Sequence, residues 1–118
     1  MSIIRVELAE EFMLGDDVVL VAMDGDGVAE FTVALEGAQR QGSWEFDQAG
    51  CRHQFSIASG QSAVDLEERR VHWRLDQAKV GEMIDALKSL SDGGRPGHQY
   101  VDISQPVDTL VLSRDEYV

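Results

Sequence analysis

Three groups of residues in this 118-residue chain have types and spacing that could do chemistry. Asp24-Gly25-Asp26-Gly27 sets two carboxylates at alternate positions, as a calcium loop does. Such a loop needs a third oxygen ligand and a closing glutamate, but those positions hold Val28 and Leu35. Asp-Gly pairs between apolar runs also make tight turns, because Gly accepts positive φ and Asp tolerates it. We therefore read Asp24–Gly27 as a hairpin bend. Cys51 and His53, with His72 and His98, offer zinc donors but lack the paired spacing of structural zinc sites. Ser59-Gly60-Gln61-Ser62-Ala63 lacks the second glycine and the strand-to-helix turn of a nucleophile elbow. The glycines at 25 and 27 are read as entering a strand, and those at 93 and 94 as following a helix, so neither pair is expected to have the strand-to-helix context that phosphate loops require. No catalytic, cofactor or metal residue is assigned.

Charge is the stronger signal. The net charge is −12, and it is unevenly spread. Residues 1–36 carry nine carboxylates (Glu7, Glu10, Glu11, Asp16, Asp17, Asp24, Asp26, Glu30 and Glu36) against a single base, Arg5. Residues 37–118 carry 13 carboxylates against nine bases. Such a field repels nucleic acid and anionic membrane and speeds encounter with a basic protein. The plain alternative is solubility. Arg70, His72 and Arg74 share one strand face, but so few bases on a chain of this charge give little phosphate affinity. They are expected to pair with carboxylates across the sheet.

The elements that must position these groups follow from periodicity. Residues 2–8 form a short β-branched run. Residues 18–23 are apolar at every position, as in a central strand covered on both faces. Ala29, Phe31, Val33 and Leu35 alternate with other residues at the period of a half-buried strand. Short strands are read at 43–46 and 52–58, with His53 facing the core. A hairpin turning at Glu67-Glu68 faces Val71, Trp73 and Leu75 inward. Val80, Met83, Ile84, Leu87 and Leu90 recur at helical spacing, with Asp76 as N-cap and Gly81 marking close packing. Two further strands lie at 99–104 and 108–113, around Pro106. No repeat is legible. The expectation is one domain, 1–118, of class α+β: a mainly antiparallel β-sheet of six to eight strands with one amphipathic helix packed on it near the C-terminus.

The C-terminal third carries a resemblance. The amphipathic helix, Gly97-His98-Gln99-Tyr100, Val101-Asp102-Ile103, Pro106 and the run from Thr109 to Tyr117 resemble the tail of small bacterial immunity proteins of the polymorphic-toxin type. The resemblance implies a stoichiometric, non-enzymatic inhibitor of a cognate toxin and carries over no functional residue. A toxin acting on nucleic acid would be basic. The candidate contacts are therefore Glu10, Glu11, Asp16, Asp17, Asp24 and Asp26, in a cytoplasmic protein without cofactor, nucleic acid or membrane partner. The alternative is a small accessory or structural domain with no toxin partner, homo-oligomeric through an exposed strand edge.

Overall fold

The strand at 18–23 is apolar throughout because it is covered on both sides. In the computed structural model, which describes residues 2–118, it belongs to β2 (Asp16–Met23). The other strands are β1 (Ile4–Met13), β3 (Ser43–Gln48), β4 (Cys51–Ile57), β5 (Ser62–Glu67), β6 (Arg70–Leu75), β7 (Gly97–Asp102) and β8 (Thr109–Arg114). Helix α1 (Gly25–Gln41) follows β2, and helix α2 (Gln77–Ser91) follows β6. The strands make two four-stranded sheets, ordered β1-β2-β8-β7 and β3-β4-β6-β5. Each sheet joins two antiparallel hairpins through a central parallel pair, β2 with β8 and β4 with β6. The α+β class and the eight strands agree with the sequence reading. The single sheet is replaced by two, and the single helix by two.

The largest correction concerns residues 24–41. Asp24–Gly27 is not a hairpin bend but the entrance to α1. The Asp24 side chain accepts from the Gly27 amide at 2.7 Å. A Cβ at Gly27 would collide with the Ile3 carbonyl oxygen, so the close approach of chain start and helix requires glycine there. Phe31 and Leu35 satisfy both a strand period and a helix period, since they stand four apart. Buried Val28, Phe31, Ala34, Leu35 and Ala38 follow the helical pattern, while Val33, which the strand reading turns inward, is exposed. Gly42 ends α1 at φ 86, and its amide donates to the Ala38 carbonyl at 2.8 Å. The rest of the helical reading holds. Asp76 caps α2 by accepting from the Lys79 amide at 2.7 Å, and Val80, Met83, Ile84, Leu87 and Leu90 are buried. Gly81 has no neighbouring atom within 4 Å of where a Cβ would stand, so close packing is not its reason.

One core holds both layers together. Val19, Val21, Met23, Leu110 and Leu112 face it from one sheet, and Phe55, Val64, Val71, Trp73 and Leu75 from the other, with both helices between them. Phe31 of α1 meets Phe55 at 5.5 Å and Trp73 at 5.2 Å, both edge-on, which locks α1 against the second sheet. Each such buried side chain contributes about 1.5–3 kcal/mol before entropy.

The architecture contains a repeat that the sequence did not reveal. The order β1-β2-α1-β3-β4 recurs as β5-β6-α2-β7-β8, and each unit lends one hairpin to each sheet. At an offset of 52 positions, Val19, Asp24, Val28, Glu30, Ala34 and Leu35 match Val71, Asp76, Val80, Glu82, Ala86 and Leu87. The two aspartate caps are therefore equivalent. We expect Asp24→Ala and Asp76→Ala each to lower unfolding free energy by about 1 kcal/mol. Urea denaturation tests this, and an unchanged midpoint for either variant would remove that cap from the account.

Candidate functional site

The six candidate contact carboxylates sort into two groups. β1 bends near its end: its register with β2 shifts between Ala9 and Met13, and Glu11 has φ 52. The Glu11 amide donates to Asp17 Oδ1 at 3.0 Å, which pins the bend to the start of β2. Leu14 (φ 52) and Gly15 (φ 86) then turn the chain between paired Met13 and Asp16. Glu10, Glu11, Asp16 and Asp17 are thus gathered, exposed, at one hairpin end. Asp24 and Asp26 are not with them. They follow the other end of β2, about 25 Å away at the usual rise per strand residue. Asp24 is occupied with structure: partial burial pushes its carboxyl up, but the Ile3 and Gly27 amides outweigh this and hold it below its ordinary value. Asp26 is exposed in the first turn of α1.

The loop between β7 and β8 adds a fifth carboxylate. A cleft of about 550 Å³ between this loop and the hairpin is lined by Gly15, Asp16, Asp17, Pro106, Asp108 and Thr109, among others. Asp108 is remote from the hairpin in sequence, so composition by thirds could not associate them. Among the described residues, none of the first-third carboxylates forms an ion pair with a base. No three His, Cys, Asp or Glu side chains among the described residues are grouped to hold a metal ion.

The exposed face of the second sheet is built differently. Central strands β4 and β6 present Arg52, Arg70 and Arg74, and edge strands β3 and β5 present Glu45, Asp47, Asp65 and Glu67. Arg52 meets Asp47 at 2.9 Å, Arg70 meets Glu67 at 2.6 Å and Arg74 meets Asp65 at 3.0 Å. The expected cross-sheet pairing of Arg70 and Arg74 is present. A second cleft, about 540 Å³, opens here beside Ser56 and His72. Ser56 Oγ lies 2.9 Å from His72 Nε2, an arrangement that a nucleophile and its base could adopt. Asp65 stands opposite His72, but Arg74 binds both its oxygens, at 3.0 and 3.2 Å. Among the described residues, therefore, no free carboxylate is hydrogen-bonded to this imidazole to orient it. The clefts are of equal size, and charge distinguishes them: this face neutralises itself, whereas the hairpin end does not.

The zinc candidates do not converge. His53 is buried on the core side of β4, stacked on Phe46 at 4.9 Å, while His72 lies on the opposite face of the same sheet. His98 is in the other sheet, 3.0 Å from Glu116. Burial, with Asp47 nearby, pushes the Cys51 thiol up and so away from the thiolate that would bind metal or attack carbon. The chain matches no protein-family model and no curated relative. No helix among the described residues is long and apolar enough to cross a membrane.

His53 yields a pH prediction. Both its ring nitrogens are buried without a hydrogen-bond partner, and burial lowers its pKa to about 4, against a weaker upward pull from Glu30. The unfolded chain takes up this proton near pH 6.5, before the folded chain does. Its contribution to stability is therefore fully present above pH 6.5 and is lost as pH falls toward 4, by roughly 2–3 kcal/mol. His53→Phe should flatten that fall in urea titrations at pH 7, 5.5 and 4.5. An equal fall in both proteins would show that His53 is not its source.

Proposed function

We propose that this chain is a non-enzymatic binding protein that neutralises a basic bacterial toxin by stoichiometric occupation, as an immunity protein does. The observation that carries the reading is the set of five unopposed carboxylates, Glu10, Glu11, Asp16, Asp17 and Asp108, around one end of the first sheet. The C-terminal resemblance supplies the family type.

The physical case is one of cost and use. Gathering like charges at a hairpin end destabilises the free protein modestly, and nothing nearby offsets it. A basic surface would offset it on binding. Long-range attraction would also steer encounter toward association rates of about 10⁸–10⁹ M⁻¹s⁻¹ at low salt. Occupation alone suffices for inhibition when the blocked surface is a groove that binds phosphate backbone.

The contact set proposed from structure differs from the one read in sequence. Asp24 leaves it, because its carboxylate caps α1 and holds the Ile3 amide. Asp26 leaves it by position, and Asp108 joins it. The accessory-domain reading is the outcome that the test must separate.

The test begins with salt elution of the tagged chain from its native cells, then expression of the eluted basic protein alone to establish that it is harmful. With that protein in hand, reversing Glu10, Glu11, Asp16 and Asp17 to Lys should slow association about 10- to 100-fold at low ionic strength and flatten its salt dependence. Association at the unaltered rate would assign the acidic end to solvation and favour the accessory domain.

A further inference from the structure

Comparison of the two repeats isolates one segment as an addition. In the second unit, β5 and β6 pair from Ser62–Leu75 to Glu67–Arg70, and Glu68 and Arg69 alone make the turn. In the first unit, the equivalent pairing runs from Ile4–Met23 to Ala9–Val18. Beyond that point, Glu10–Asp17 stands where the other hairpin has only Glu68 and Arg69. The additional length holds four of the five clustered carboxylates. At its tip is Leu14, a fully exposed apolar side chain.

Leu14 is a poor choice on two independent local grounds. Its φ of 52 and that of Gly15 at 86 place the pair in the centre of a two-residue turn with left-handed residues, where Asn-Gly or Asp-Gly is favoured. A branched apolar residue is disfavoured in that conformation. Its side chain also gains no burial within the chain. By contrast, Phe12, two residues earlier, packs over Val18, Leu20, Ala22 and Val111 and meets Tyr117 at 5.4 Å. Phe12 is therefore explained by the fold, and Leu14 is not. Departures from local preference concentrate where a site serves something outside the fold.

We propose that Leu14 is the anchor of this interface: it enters an apolar pocket in the basic partner while Glu10, Glu11, Asp16 and Asp17 pair with Lys and Arg around the pocket's rim. This rests on the toxin-neutralising reading above and adds the recognition element to it. Leu14 stands at the tip, with Glu10 and Glu11 on the strand before it and Asp16 and Asp17 on the strand after it, so an apolar contact made by the tip is flanked by charge on both sides. Charge argues against a second copy of this chain as the occupant, since two such tips would bring eight carboxylates together. The steering and anchoring roles are separable: the carboxylates set the association rate, and Leu14 sets the lifetime of the complex.

The test is Leu14→Asn, assayed against the basic protein recovered by salt elution. Asn suits the turn better than Leu, so the urea midpoint of the free protein should be no lower than that of the unaltered chain. Dissociation should nevertheless become about 10- to 100-fold faster, the range expected for losing one buried leucine, with association changed less than twofold. Matched dissociation rates, with partner binding otherwise intact, would overturn the anchor and leave the toxin reading standing. A chain that holds no basic protein before any substitution would overturn the toxin reading, and the anchor with it. Sedimentation of the free protein adds one more check: a dimer dissociated by Leu14→Asn would assign the tip to self-association and overturn the proposal.

Discussion

The constraint on which everything else depends is the exchange of hairpins between the two halves of the chain. Neither half can build a sheet by itself. β1-β2 is completed by β7-β8, and β3-β4 by β5-β6, through the parallel pairs β2 with β8 and β4 with β6. Val19 therefore pairs with Leu110 across nearly the whole chain, and Phe55 pairs with Trp73 near its middle. The helices follow from this arrangement. Each leaves the end of a strand of a parallel pair, β2 or β6, through an aspartate cap, and both contribute to the core shared by the two sheets. A core assembled from such distant segments closes only when both halves are in place, so the fold is cooperative across its length.

The two sheets use the same frame for different ends. Equivalent outward positions on β2 and β6 carry Val18, Leu20 and Ala22 in one sheet and Arg70, His72 and Arg74 in the other. The apolar set is buried under Phe12 and the chain's last turn, where Tyr117 meets Phe12, the Tyr117 carbonyl accepts from Arg5, and Glu116 accepts from Ser113 at 2.8 Å. The polar set is left open and satisfied by ion pairs with its own edge strands, each worth about 0–1 kcal/mol at such exposure. Charge on the open face is thus consumed internally. Glu10, Glu11, Asp16, Asp17 and Asp108 have no such partner among the described residues, and they stand together at the hairpin that the first unit extends and at the β7-β8 loop beside it.

Much of this was legible in sequence, and the failures have identifiable physical causes. The helix at 77–91 was readable because five apolar residues kept strict helical spacing behind a capping aspartate, and no other period fitted them. The hairpin of β5 and β6, the buried His53 and the pairing of Arg70 and Arg74 were readable because strand alternation assigns faces directly. Helix α1 was misread because Phe31 and Leu35 fit both periods and Asp-Gly pairs signal turns more often than helix entrances. Only the burial of Val28 and Ala38 and the exposure of Val33 decide between them. The repeat escaped because the few matched residues are diluted by unequal loops, and because exchanged hairpins hide the symmetry from a linear reading. Of the candidate site, the acidic composition was visible, but its division between the two ends of β2 was not. Asp108 and Leu14 were missed for opposite reasons: one is brought in by tertiary structure, and the other is informative only once its backbone conformation and exposure are known.

The central claim is that the working surface of this protein is the acidic end of the first sheet. Amide hydrogen exchange of the chain, alone and in its complex, tests it most directly. The account predicts slowed exchange in residues 10–17 and in the loop at 104–109, with the open face of β4 and β6 unchanged. Protection centred on β4 and β6, with the hairpin end exchanging as freely as before, would contradict it.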